Sequence, residues 1–492
     1  MTALGILLAG QAHPARPWPR YALQPDAWRA FAVALQHEPH LHFHALWADA
    51  AQVFALFTGP GPLLVSTPAE AGLYAALSPY RPAAAWFERM AGDLWGHQAA
   101  HGVDARPWLD HGAWPVLRPM LARSVPNPGG VEAPEMLPVP HPGLHRLVSG
   151  PAGPGLAEPG HAVIAASGET VARLELRLGY AHKGTLALMR GKTPSAAARL
   201  AGRLAGEATV AHTLAFCRAL EAAVGGEAPP RADALRGIAA ELERIAVHLA
   251  DLEQCLFLAG SSAAGPGRLR EAVLRAVQSA FGHRFAMDYI VPGGVAADLS
   301  EAGAAAIRAV LDHIGAALPS LRRGWGAGLR RRMAGIGVIP PGTLDRLAPH
   351  GMAARAAGQG RDARSAPGYP PYPPGAPMVH ATGDVLARLD LRLDEVEQGA
   401  ALVHGMLAAL PGGAIEVPPP PGTGEGLGVA EGPHGPVWHW VQVERGAVAA
   451  AFARDPGWVL WPAAEAAACG AALSDLKLIL ASFGASVSGV DL

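Results

Sequence analysis

Apolar and polar residues alternate in short runs over the first third of this chain and recur every three to four residues over most of the rest. Residues 1–122 mix both rhythms, as in LHFHALWADAAQVFALF, and the mixture predicts an α+β region. The leading run ALGILLAG is apolar and short and lacks a basic leader, so a first β-strand is expected there rather than a signal peptide. Residues 123–144 hold SVPNPGGVEAPEMLPVPHPG, Ser124 to Gly143, whose prolines lack backbone donors; a linker is expected. From about 145 to 182 strand-like runs return, among them ETVARLELRLGY with apolar residues near every second place.

Helical spacing then takes over. Thr193 before Pro194 is a helix start, a capping hydroxyl followed by a ring at the first helical position. A long helix is predicted from about Ala232 to near Gly260, with Leu235, Ile238, Leu242, Ile245, Leu249 and Leu252 on one stripe. Further helices fit RLREAVLRAVQSAFGHRF, Glu301 to about Leu318, and DVLARLDLRLDEVEQGAALVHGML. Proline breaks at APGYPPYPPGAP and VPPPPG set off a tryptophan-rich end, to which the pattern assigns no element. Residues 145–492 are therefore expected to be mainly α-helical with a small β region.

Composition narrows the function classes. The chain has 492 residues, half of them apolar, and 39 basic against 41 acidic residues give a formal charge of -2. That balance argues against nucleic acid or anionic lipid as a bulk electrostatic partner. Arg322, Arg323, Arg330, Arg331 and Arg332 form the densest basic run, expected to be a solvated helix face. No apolar stretch is long enough to span a membrane, so membrane association is expected only through partners. Cys217, Cys255 and Cys469 lie far apart, which yields neither a disulfide framework nor a thiolate metal site.

Candidate chemistry is sparse. In RLAGEATVAH, Arg203 and Glu207 are four apart and are expected to pair on one helix face, while His212 need not meet Glu207. His40, His42 and His44 alternate, so they would share one strand face, a possible zinc site without an evident fourth ligand. No P-loop, dinucleotide fingerprint, HExxH or GxSxG occurs.

The order of segments says more than any one motif. PAGPGLAEPGH, GETVARLELRLGYAHKG, RLAGEATVAHTLAF and PPRADALRGIAAELERIAVHL follow one another, then PGGV (Pro292 to Val295) and GMAARAAGQGRDARSAPGYPPY (Gly351 to Tyr372). GDVLARLDLRLDEVE, EGPHGPVWHW and the closing DLKLILASFGASVSGVDL complete the series. Together they resemble the large subunit of membrane-bound nickel-iron hydrogenases and its relative, the quinone-site 49 kDa-type subunit of complex I. WFERMAGDLWGH, Trp86 to His97, resembles the 30 kDa-type complex I subunit that formate hydrogenlyase-type large subunits carry at their N-terminus.

The resemblance implies a metal site whose ligands this chain lacks. A hydrogenase places cysteines in RxCGxCxxxH and DPCxxC segments; here Ala205, Ala208, Ser486 and Gly489 occupy those positions. Methyl groups and glycine cannot ligate, and a neutral hydroxyl is a poor ligand for a soft site. The HRGxE motif reads His182, Lys183, Gly184, Thr185, Leu186, and PRG reads Pro433, His434, Gly435. The quinone anchors of the complex I relatives are altered too, with Gly150, Pro151, Ala152, Gly153, Pro154 in the histidine loop and Gly206 at the tyrosine position. The Gly179 to Gly184 turn, the ELERI helix, and Arg355, Arg361, Asp362 and Arg364 are retained.

The resemblance accordingly implies a subunit of a complex I-like or hydrogenase-like respiratory assembly, without a nickel-iron centre and with no cofactor of its own. Its partners would be an iron-sulfur small subunit and membrane subunits, and its place the cytoplasmic face of the membrane. The alternative is an oxidoreductase subunit that reduces quinone or another acceptor in an altered cavity, with Glu207, His212, His434 and Arg361 as its polar groups.

Overall fold

The computed structural model describes residues 1–123, 125–129, 135–152, 158–261, 265–366, 369, 371–372 and 376–492. Its first element corrects the expectation of a strand: Ala3–Leu8 is a helix, α1. The Thr2 hydroxyl accepts the Gly5 N–H at 3.1 Å, and Ala3 and Leu7, four apart, are buried beside helix α2 (Pro25–Ala34). A buried pair at that spacing is helical, not strand, periodicity.

Strands β1 (Gln11–His13), β2 (Ala15–Arg16), β3 (Arg20–Ala22), β4 (His42–Ala48), β5 (Gln52–Thr58) and β6 (Pro62–Pro68) follow. All but β2 form one sheet in the order β1-β3-β6-β5-β4, parallel only between β3 and β6. Helix α3 (Ala85–Trp95) packs on β4. Short ladders join β7 (Leu73–Ala75) to β8 (Gln98–Ala100) and β9 (Val116–Leu117) to β10 (Val125–Pro126). Ser124 and residues 130–134 of the expected linker lie outside the described residues; what is described of Ser124 to Gly143 contains β10 and no helix. The alternating run then yields an antiparallel sheet of β11 (His145–Ser149), β12 (His161–Ser167) and β13 (Thr170–Arg177).

Helices dominate the middle: α4 (Thr185–Met189), α5 (Pro194–Ala201), α6 (Thr209–Val224), α7 (Pro230–Leu258), α8 (Gly265–Phe281), α9 (Glu301–Gly324), α10 (Ala327–Met333), α11 (Pro341–Leu347), α12 (Met352–Ala356) and α13 (Val385–Ala408). The PGGV turn joins β14 (Ile290–Val291) to β15 (Gly294–Val295). Each residue of the predicted α7 stripe, Leu235, Ile238, Leu242, Ile245, Leu249 and Leu252, is 0% exposed. Thr193 caps α5 as expected, its hydroxyl accepting from Ala196 N at 3.4 Å. The arginine run is not simply solvated. Arg322 pairs with Asp394 and Glu397, Arg330 with Asp390, and Arg332 with Asp475, so acids of α13 and of the segment after α14 (Gly457–Ala468) tether it. Among the described residues no helix is long and apolar enough to cross a membrane.

The tryptophan-rich end is a sheet. Strands β16 (Gly424–Glu431), β17 (Pro436–Glu444) and β18 (Ala447–Arg454) are ordered β18-β17-β16-β2, so the second strand of the chain closes a sheet made by its far end. Gly424, Gly426 and Gly428 put bare backbone on one face of β16, and α6 lies directly on it; a Cβ at these positions would overlap the carbonyl oxygens of Ala223, Ala219 and Ala215. Helices α15 (Leu476–Phe483) and α16 (Ser488–Asp491) finish the chain. Trp47 stacks on Phe452 (centroids 4.9 Å apart) and Phe87 on Trp458 (4.3 Å), which joins the first sheet and the chain's end in one core.

Candidate functional site

Two loops converge where the resemblance places a metal centre. The loop between α5 and α6 brings Ala205 (0% exposed) and Ala208 (4%), the loop between α15 and α16 brings Ser486 (4%), and the first turn of α16 brings Gly489. Between them stand the turn after β16, with His434, and Asp455 at the end of β18. A Cβ at Gly489 would collide with the Asp455 carboxylate, and one at Gly484 with the His434 ring. The cavity lined by Glu207, Ala208, His434, Asp455 and Ser486 measures about 10 Å3, the space of one water.

The surrounding turns are tied together. Lys183 donates to Leu204 O (3.0 Å) and Ser488 O (3.2 Å), so it spans both loops. The Asp491 carboxylate accepts from Gly179 N and Ala181 N, each at 2.7 Å, and its burial pushes it up to about 6. Leu186, at the glutamate position of HRGxE, is buried. Gly153 and Pro154 of the histidine-loop segment lie outside the described residues.

The expected Arg203–Glu207 pair does not form. Residues 202–208 are not helical, so the four-residue spacing brings no contact, and Arg203 instead makes a two-pronged pair with Asp288 at 2.7 and 2.9 Å. Without that cation Glu207 is left against Asp455. Burial and the Asp455 charge push its carboxyl up to about 7, while His434 and a hydrogen bond from Ser486 oppose the rise. His212 meets the same acid: its Nε2 lies 3.1 Å from Asp455 Oδ2, and its Nδ1 lies 3.0 Å from His439 Nε2. Glu207 and His212 are thus joined through Asp455, which sequence spacing did not suggest. His434 Nε2 is 2.7 Å from Asp251 Oδ2, and Arg392 donates to the same oxygen at 3.0 Å. Those neighbours hold Asp251 well below the usual carboxylate range despite its burial. Glu243 caps the α6 start, accepting from Val210 N (2.6 Å) and Ala211 N (3.0 Å), and burial raises it to about 8.

Behind this lies a second network of buried ions. Arg355 donates to Glu395 (2.8 Å) and Glu431 (3.0 Å), and Arg364 donates to Glu241 (3.0 Å) and Asp362 (2.7 Å). Arg244 reaches Glu241 at 3.3 Å and holds the Gly432 and Glu431 carbonyls, so the turn bearing His434 is fixed from below. Four carboxylates face three guanidiniums. Burial, with the nearby Asp362, raises Glu431, whereas Asp362, Glu241 and Glu395 are held down by the arginines. His248, 2.8 Å from Glu395, is lowered to about 4 by burial and is neutral.

Of the candidates read from sequence, Glu207, His212 and His434 come together and Arg361 does not. Arg361 donates to Pro349 O at 3.3 Å, away from the cavity lining. Asp251, Asp455, His439, Glu243 and Glu395 were not foreseen, because each arrives from an element remote in sequence; Glu243, Glu395 and His439 lay inside quoted motifs, but nothing in those motifs marked them as neighbours of Glu207 or His212. The histidine face is altered as well. His40 precedes β4, and the register of β4 on β5 skips His44, a bulge. No cluster of three or more His, Cys, Asp or Glu side chains suited to a metal ion occurs among the described residues.

The raised carboxyls give stability a definite pH dependence. Glu207 is held at about 7, Glu243 and Glu465 at about 8, and Asp93 and Asp491 at about 6. The folded chain therefore binds more protons than the unfolded chain from the ordinary carboxyl range up to these values. Their contribution is complete below that range and is lost progressively as pH rises from it to about 8, where the last of them ionise in the folded chain. Asp251, Asp362 and Glu395 act oppositely, with stability present above the ordinary carboxyl range and lost only in acid. Urea denaturation is expected to give a higher midpoint at about pH 5.5 than at about pH 8.5, and Glu207→Gln to recover about 2 kcal/mol of the difference. A flat profile would show that these carboxyls stay solvated.

Comparison with known proteins finds similarity over part of the chain. Residues 266–421 match the family described as respiratory-chain NADH dehydrogenase, 49 Kd subunit. The chain is 27% identical over 331 residues to the membrane-bound hydrogenase subunit alpha of Pyrococcus furiosus, covering 61% of this chain and 76% of that protein. It is 26% identical over 443 residues to formate hydrogenlyase subunit 5 of Escherichia coli, covering 85% and 77%. With NADH-quinone oxidoreductase subunit 4 of Thermus thermophilus it shares 29% over 265 residues, covering 52% of this chain and 64% of that protein.

Proposed function

Because this chain is a relative of the 49 kDa respiratory subunit and of membrane-bound hydrogenase large subunits, we propose that it serves as a subunit of a complex I-like or hydrogenase-like respiratory assembly, with a structural and energy-coupling role and no nickel-iron centre. The observation that carries this reading is the packing at Ala205, Ala208, Ser486 and Gly489. Their donor set, two methyl groups, a hydroxyl already engaged with the Gly489 N–H, and a glycine pressed against Asp455, does not fit a thiolate-bound metal pair. Lys183 instead fastens the two loops to one another, while Asp491 ties the chain's end to the Gly179 turn and Arg244 holds the turn bearing His434.

In this reading the partners are an iron-sulfur small subunit and membrane subunits, residues 1–122 act as the 30 kDa-type region, and the assembly lies on the cytoplasmic face. Glu207 would be the responsive group, since a carboxyl at about 7 changes charge near neutral pH. Asp455 and His212 would pass that change to His439. Quinone reduction in this cavity is the weaker reading, because an organic ring needs a few hundred Å3, on the order of 300 or more, and the space here is about 10 Å3.

Metal analysis of the assembly purified from its native cells tests the proposal. The expected result is no nickel in stoichiometric amount and iron that follows an iron-sulfur partner when the subunits are separated. Stoichiometric nickel in this subunit, or isolation of the chain as a free monomer, would overturn it.

A further inference from the structure

A second cluster of titratable side chains lies where β4 meets the loop before α12, apart from the site above. The His350 ring packs against the His44 ring (centroids 4.2 Å apart) and the His42 ring (5.7 Å). His44 is 1% exposed, and its Nε2 lies 2.9 Å from the Thr58 hydroxyl. Its Nδ1 has no partner, and neither does His42 Nδ1 or His350 Nε2, though all three atoms are buried. A neutral imidazole carries one N–H and one lone pair, and a buried ring nitrogen left unpaired costs about 1–3 kcal/mol.

The ionised groups that act on these rings are guanidiniums, those of Arg81, Arg361 and Arg454. His40, just before β4, and Arg81, just before α3, come from one side; the Arg81 guanidinium is spent on the carbonyls of Glu38, Leu41 and Tyr80. From the other side come Arg361 and Arg454; Arg454 donates to His44 O (3.2 Å) and Pro436 O (2.7 Å). The neighbouring carboxylates act on the arginines, Asp345 on Arg361, and Asp455 and Glu431 on Arg454; none is hydrogen-bonded to the three imidazoles. Burial, assisted by these cations, lowers His42 to about 4 and His44 and His350 well below their ordinary value, so the rings are neutral at pH 7. Each unpartnered ring nitrogen is a donor in one of the two neutral tautomers, and donors without acceptors beside guanidiniums are the environment an anion satisfies.

We propose that His42, His44 and His350, with Arg361 at the solvent side, form a binding site for a small inorganic anion of halide size. Neutral ring N–H groups donate to the anion, and Arg361 supplies the charge that draws it in. Protonating any ring beside the bound anion is easier than beside empty space, so anion and proton bind together. Gly351, next to His350, has no room for a Cβ against the Gly435 backbone and the His434 carbonyl. The loop that would hold the anion therefore abuts the turn carrying His434. The inference does not rest on the proposed function.

Bromide is the probe. In crystals of the full chain soaked in bromide, an anomalous peak is expected about 3.2 Å from His44 Nδ1 and His350 Nε2. In solution, imidazole NMR at constant ionic strength is expected to show the His42 titration moving upward as bromide replaces glutamate. Affinity should rise about tenfold per pH unit of acidification where one proton accompanies each anion, and Arg361→Gln should weaken it about tenfold. A peak only at other surface positions, or a His42 titration indifferent to bromide, would overturn the proposal.

Discussion

Replacing Arg355 by methionine is expected to destabilise the fold by about 3–5 kcal/mol, the usual cost of stranding a buried charge. The side chain is 0% exposed and joins Glu395 from α13 to Glu431 at the end of β16. Methionine fills similar volume, so the loss is electrostatic: Glu395, held far below its ordinary range chiefly by Arg355, would be charged without its main partner. Protonating Glu395 would relieve this, and the variant should therefore regain stability at acid pH. The double variant Arg355→Met, Glu431→Gln separates the terms. Burial raises the Glu431 carboxyl whereas Arg355 holds Glu395 down, so adding Glu395→Gln should restore more stability than adding Glu431→Gln. Chemical denaturation measures all three, and a single-variant loss below about 1 kcal/mol would show that water reaches these groups.

Gly426→Ala is the second large effect, and its cause is steric. The added methyl would overlap the Ala219 carbonyl oxygen and come within 2.7 Å of Ala223 N, both backbone atoms of α6. Backbone cannot rotate away as a side chain does, so the helix must lift from β16, at a cost of about 3 kcal/mol. The same helix carries His212 and receives the Glu243 cap at Val210, so the lift also opens the His212–Asp455 contact. Gly412→Ala, with nothing within 4 Å of the new methyl, is the control. Thermal denaturation should separate the two variants clearly; equal melting points would mean that α6 does not sit directly on the strand.

How much could be read in advance depended on the range of the forces involved. The α7 and α13 helices were legible because a stripe of apolar residues three and four apart needs only a neighbouring surface, whatever that surface is. The strands at the chain's end were not, because the residues that make β16 pack are glycines, which carry no hydropathy signal. α1 was misread since six apolar residues suit either element until the Thr2 cap and a partner helix select one. Arg203 and Glu207 show the same limit: a spacing of four means contact only if the backbone between is helical, and here it turns.

The sequence by itself determined which atoms are available at the centre. No thiol stands at Ala205, Ala208, Ser486 or Gly489, and no folding can supply one. Only the tertiary structure decided what takes their place. Asp251, Asp455 and His434 come from a helix, a strand end and a turn; the contacts of Asp455 with His212 and of Asp251 with His434, and the charges that act on Glu207, exist once burial has packed those elements together. Ionisation follows from that packing, because a carboxyl's proton affinity is set by lost water and by the nearest charges, and both are properties of the folded chain.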